Sequence, residues 1–253
     1  MNIYSISELK EKPLKRWEQD ALIKFEQKMT STHSPFPCIP ATQAFALHHL
    51  RFGFAIDPRD KASAREVASM LKTFTLHSRQ YGSYTTLIIF YNTPVDLAST
   101  SVLEFEQQYW SQLHEICILD DSQWPTHIPT DPKDPNWEFC FQGEPYFMFC
   151  ATPAHEQRQS RYFPYMMLAI TPRWVLQSFN ENKAYANKIK QKIRNRLEAY
   201  DEITPHSELK QYGDDDNYEW KQYFLRDDHS NPSVCPFLAS LKKENRMGQN
   251  YKK

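Results

Sequence analysis

"YTTLIIFYN", residues 84–92, is a run of strand length in which apolar side chains occupy odd and even positions alike. A half-buried strand alternates apolar with polar residues, so this run predicts a strand covered on both faces, in the middle of a sheet. The neighbouring segments supply the cover. Leu14, Trp17, Ala21, Leu22 and Phe25 share one helical face over 14–30, residues 61–78 repeat the pattern, and Val102, Phe105, Tyr109, Leu113 and Ile116 continue it over 98–119. "SPFPCIPA" (34–41) leads into a short helical run ending at His48 and His49, followed by "LRFGFAI" (50–56), a second strand.

Further along, "WEFCFQG" (137–143) and "EPYFMFCA" (144–151) are short aromatic strands with a hairpin at Gly143-Glu144-Pro145. "FPYMMLAIT" (163–171) is another strand, and 174–200 reads as one long basic helix. These elements predict an α+β fold: a single domain with a mixed, largely aromatic-lined sheet flanked by helices. The expected divisions are an N-terminal helical segment over 1–33, the α+β domain over 34–237 and a polar C-terminal tail over 238–253.

Composition narrows the function classes. Thirty basic residues against thirty-one acidic ones give no field that would draw in nucleic acid or anionic lipid. No apolar run approaches the ~20 residues of a membrane span, and "MNIYSISELKEKPLKRW" lacks a signal-peptide core. The five cysteines contain no Cys-x-x-Cys pair and fit a reducing cytoplasm. With only five glycines and no glycine-rich phosphate loop, binding of a nucleotide through such a loop is not expected.

Candidate chemistry is sparse. The nine histidines show no zinc spacing, and each reads first as an ordinary surface or core residue. Cys38, between prolines, reads first as a structural thiol. The acidic stretch "GDDDNYEWKQY" (213–223) could gather magnesium, although a loop capping the next helix accounts for it more simply. His127 and His155 stand apart because each lies in a proline-bounded loop beside aromatic strands. Trp137, Phe139 and Phe141 alternate to one face, and Phe147 follows in the next strand. Two such faces could line a flat apolar slot, with Arg158, Arg161 and Arg173 at its rim to bind carboxylates, as haem propionates would require. The simpler alternative is a hairpin packed on the core with exposed arginines.

"FPC" (36–38), "WPTHIPTDP" (124–132), "WEFCFQGEPYF" (137–147), "TPAHEQRQSRYFP" (152–164), "YGDDDNYEWKQYF" (212–224) and "CPF" (235–237), taken in order, resemble the YqcI/YcgG family from about residue 34 to 237. That family includes a branch of haem-dependent N-hydroxylases acting on guanidino compounds in guanitoxin and D-cycloserine biosynthesis. The resemblance implies haem b as cofactor, O2 and a reductant as co-substrates, and a small amino or guanidino compound as substrate. It implies His155 as the iron ligand, Arg158 and Arg161 on the propionates, and Trp137, Phe139, Phe141 and Phe147 around the macrocycle. Glu138, Glu144 or Asp131 would supply the carboxylate facing a cationic substrate. One departure bears on the ligand. The hydroxylase branch has histidine directly before the loop proline, where this chain has Thr152-Pro153, so His155 is only the nearest replacement, and His127, Cys38 and Cys150 remain alternatives. A non-catalytic haem-binding or sensing protein, or a cofactor-free small-ligand binder, is the other reading. The resemblance implies an electron donor without specifying it, and a homodimer is compatible with it.

Overall fold

The computed structural model describes residues 2–210 and 216–237; the tail expected over 238–253 and Gly213–Asp215 of the acidic stretch lie outside the described residues. Five strands form one mixed sheet in the order β1-β2-β5-β4-β3: β1 (Leu50–Ala55), β2 (Thr86–Tyr91), β3 (Phe139–Phe141), β4 (Glu144–Ala151) and β5 (Met167–Pro172). β1 and β2 run parallel, with α4 (Lys61–His77) as the crossover between them, and every other pairing is antiparallel. The opening stretch behaves as its sequence requires. β2 lies between β1 and β5, and its side chains alternate between two cores.

Leu87, Ile89 and Tyr91 point to the first core with Met148, Leu168 and Ile170, beneath α4 and α6 (Val102–Ile118). Ile88 and Phe90 point to the second core, under α1 (Ile6–Lys10), α2 (Arg16–Thr30) and α3 (Ile39–Ala46). The N-terminal helices belong to this second layer: Tyr4 and Phe52 exchange backbone hydrogen bonds of 2.9 and 2.8 Å, and Phe25 meets Phe52 and Phe90 edge-on. Ser5 and Ser101 open α1 and α6 with capping boxes closed by Glu8 and Glu104. α5 is one turn, Val95–Ala98. The hairpin turn carries positive φ at both Gln142 (53°) and Gly143 (74°), the mirror-image geometry that matches strand twist.

The long basic helix expected over 174–200 is two helices, α7 (Arg173–Glu181) and α8 (Lys183–Tyr200). Asn182 leaves helical geometry between them and its side chain accepts from the Tyr185 N–H, so a capping residue interrupts a continuous periodicity. A short α9 (Trp220–Tyr223) returns the C-terminal segment to β4. No helix among the described residues is long and apolar enough to cross a membrane.

Candidate functional site

The two faces of the sheet are filled differently. On the first face, Trp137 stacks with Trp124 at 6.4 Å, and Phe237 packs on Trp137 and Phe139 at 5.6 and 6.1 Å. Trp110 lies over Tyr223 at 6.3 Å. The aromatic slot expected around Trp137, Phe139 and Phe141 is therefore occupied by the protein's own side chains, with "CPF" as its plug. Aromatic strands of this density pack to closure wherever a neighbouring element supplies more rings.

The second face holds an apolar cavity of about 570 Å³. Its floor is the alternate positions Thr86 and Ile88 of β2, Phe147 and Phe149 of β4, and Ala169 and Thr171 of β5. α2 and α3 wall one side with Phe25, Met29 and Cys38, and α7 walls another with Val175, Leu176 and Phe179. α8 closes it with Ile193 and Leu197, on the side of the helix that also buries Ala186 and Ile189, and places Asn187, Lys190, Gln191 and Arg194 at its rim, three of them solvent-exposed. An apolar interior with polar side chains at its mouth suits a ligand that has polar groups.

Cys38 is the N-cap residue of α3 and lines the cavity. Burial raises the thiol, and the Ala41 backbone N–H and the charge of Arg161 offset this only in part. Lys28 also lines the cavity, donates to the carbonyls of Gln159 and Tyr162 at 2.9 and 2.7 Å, and is lowered to about 8 by burial. At the α9 end stands Glu219, 5% exposed, accepting from the Asn217 side chain, with Gln222 beside it on the wall donating to Asn217 at 2.8 Å. Burial, and then the neighbouring Glu138, raise Glu219 to about 8.

Of the residues the sequence singled out, Phe147 lines the cavity, and Glu138 lies behind Glu219, paired with Arg173 at 3.2 Å. The others are placed elsewhere. His155 is buried with both ring nitrogens engaged, Nδ1 with the Thr152 hydroxyl and Nε2 with the Leu225 carbonyl, each at 2.8 Å. Burial lowers it to about 4, so the ring is neutral and donates from Nε2 to the carbonyl. Arg158 gives its guanidinium to the carbonyls of Arg226, Thr204 and Asp228. Arg161 donates to the carbonyls of Cys150, Tyr223 and Gln222 and lies over the Phe149 ring at 4.0 Å, lowered to about 10 by burial. Both arginines fasten the C-terminal segment to the loop, and neither is on the cavity. Glu144 is half-buried at the hairpin, Asp131 caps an exposed turn through the Lys133 N–H, and Cys150 is buried on the first face. Neither Glu144, Asp131, Cys150 nor His127 lines the cavity.

Sequence reasoning did not reach Glu219, Gln222 or the polar rim of α8 as site residues. The signal was present in "DNYEWKQYF", which carries Glu219 and Gln222; the 187/190/191/194 spacing reads as a solvent-facing stripe, and only the cavity beside α8 shows that it borders a site.

The sequence model of the YqcI/YcgG family matches residues 25–238. The chain belongs to that family. Two relatives from Bacillus subtilis (strain 168), the uncharacterized proteins YqcI and YcgG, are 42% and 43% identical to it. Their alignments cover 93% and 92% of this chain and 94% and 93% of those proteins. DcsA of Streptomyces lavendulae, provisionally named an N(omega)-hydroxy-L-arginine synthase, is 29% identical over 88% of this chain and 85% of its own length. No solved structure was found to match.

Proposed function

We propose that this protein is a haem-dependent N-hydroxylase of a small amino or guanidino compound, with its cofactor and substrate in the cavity between the sheet and α2, α3, α7 and α8. The observation that carries the reading is the cavity itself: an apolar space of about 570 Å³ with a thiol at a helix N-terminus on one wall and polar side chains on another. That volume lies in the range of cofactor and ligand sites, roughly 300–1,000 Å³. Similarity along the chain to DcsA supports the reaction class.

The donor set fits a haem better than it fits a bare metal ion. No group of three or more His, Cys, Asp or Glu among the described residues is arranged to hold a metal, whereas a haem requires one or two axial ligands. No histidine lines the cavity, and His155 would have to surrender two hydrogen bonds to reach iron. Cys38 is the residue assigned to the iron. Lys28 and Arg194 on the cavity wall, each with N–H groups beyond those given to backbone carbonyls, would hold the propionates, and Phe147 and Phe149 would cover the macrocycle. When bound, the haem supplies activation of O2, which a thiolate ligand favours.

The protein's own part is to exclude water with an aromatic floor, keep the thiol on the cavity wall and hold the substrate nitrogen still. In the balanced reaction one oxygen atom replaces an N–H by N–OH and the other leaves as water, with two electrons and two protons from an external reductant.

Expression with haem supply, followed by an absorption spectrum, tests the proposal. A Soret band that Cys38→Ser shifts or abolishes, and that His155→Gln leaves in place, is the expected result. A folded, haem-reconstituted chain without a Soret band would overturn it, and an unchanged band in Cys38→Ser would remove Cys38 as ligand. Conversion of arginine-like compounds in the presence of a reductant separates hydroxylation from sensing or storage.

A further inference from the structure

The cavity wall at α9 has a chemistry of its own. Glu219 is almost fully buried and lines a mainly apolar cavity, a costly place for a carboxyl group whose side-chain partner there is the neutral amide of Asn217. The charged and titratable groups around it come from four elements. Glu138, just before β3, is paired with Arg173 of α7; Lys190 of α8 donates to Asn180 at 2.6 Å; Tyr223 of α9 donates to the Tyr146 carbonyl at 2.8 Å. Arg173 is paired with Glu138, the charges of Arg173 and Lys190 also act on Glu219, and Glu219 is the carboxyl on the cavity wall, accepting from Asn217.

We propose that Glu219, with Gln222 beside it, is the specificity-determining anchor for a cationic group, a guanidinium or ammonium, on the small molecule that enters this cavity. The inference rests on the proposed function only in placing that substrate here. A planar guanidinium can donate two parallel hydrogen bonds to one carboxylate, and Gln222 on the same wall, whose amide N–H donates to Asn217, keeps its amide oxygen as a further acceptor. Lys190, Asn187 and Gln191 at the α8 rim of the cavity suit a carboxylate at the other end of an amino acid. Because Glu219 is raised to about 8, it is largely protonated at pH 7 when the cavity is empty, and a bound cation ionises it. Binding then releases a proton, a signature that a merely structural glutamate would not give.

Titration calorimetry on the full chain at pH 7, in two buffers of different ionisation enthalpy, reads both preference and proton release. Probes are L-arginine, agmatine and L-citrulline, the last a neutral near-isostere of arginine. The expected result is binding of arginine or agmatine about tenfold or more tighter than citrulline, with release approaching one proton. Glu219→Gln, which copies the protonated form, is expected to fold, lose the proton release and bring the cationic probes to within about twofold of citrulline. Should that variant fail to fold, Glu219→Asp is expected to weaken arginine several-fold and leave citrulline unchanged. Equal affinities for arginine and citrulline, no binding by either cation, or a preference that survives in Glu219→Gln overturns the anchor. The Soret measurement is independent: no haem band with the cation preference intact removes the oxygenase reading and leaves the anchor standing.

Discussion

The two faces of the sheet are built from the same strands, yet one is packed closed and the other is hollow. On the closed face, Trp137, Phe139 and Phe141 meet Trp124, Tyr223 and Phe237, and the rings fill one another's space. On the hollow face, Phe147, Phe149 and Ile88 look into the cavity, and the helices around them leave it unfilled, with polar side chains of α8 at its rim. Aromatic strands thus stand under both faces, and what marks the binding slot is that the covering helices leave volume unfilled.

The largest expected effect tests the clamp that holds the C-terminal segment against this architecture. Arg161→Met leaves the carbonyls of Cys150, Gln222 and Tyr223 without their donor inside the protein, and should cost about 3–5 kcal/mol in urea unfolding. The same loss should detach α9 and raise hydrogen exchange there.

The contrast between faces is sharpened by a matched pair of truncations. Trp137→Ala on the closed face should cost about 3–5 kcal/mol, whereas Phe147→Ala, which already borders empty space, should cost about 1–2 kcal/mol. Comparable costs, measured by denaturant midpoints at equal slope, would break the contrast.

A pH effect of about 3 kcal/mol is expected from His155. Its folded value of about 4 lies below the ordinary 6.5, so the unfolded chain binds the proton first as pH falls. Stability from this group is full above 6.5, declines as pH falls to about 4, and is level below. His206, lowered to about 4 by burial and then by Arg158, acts in the same direction. In His155→Gln the slope of stability against pH between 6.5 and 4 should flatten.

The smallest effect belongs to the hollow face. Glu219 is raised rather than lowered, so the folded chain holds a proton that the unfolded chain loses from about 4.5 upward, and stability falls as pH rises toward 8. Glu219→Gln should remove that loss and gain about 1 kcal/mol at pH 7, after its weaker bond to Asn217 is counted. A loss of stability at that pH would mean that the carboxyl is ionised in the empty cavity.

Much of the fold was legible in the sequence because its rules are local. The continuous apolar run at 84–92 required two covering layers, the alternation over 139–151 required a hairpin, and the helical periods of α2, α4 and α6 required apolar faces toward the sheet. The break at Asn182 was missed because periodicity carries across a cap whose effect depends on one side-chain bond. The site was less legible. His155, Arg158 and Arg161 were conspicuous in sequence because histidine and arginine in a proline-bounded loop are suited to ligands. Here those same polar groups meet the carbonyls of residues 204 and 222–228, about 45 to 70 positions further on.

The sequence by itself determined the strands and most of the helices, the two-sided burial of the central strand and the family. Only the tertiary structure decided which face is hollow, that Cys38 lies on the cavity and that Glu219 faces into it. The physical reason is that a period of two or 3.6 states which side chains share a face, whereas an unfilled volume depends on what distant elements fail to bring to that face.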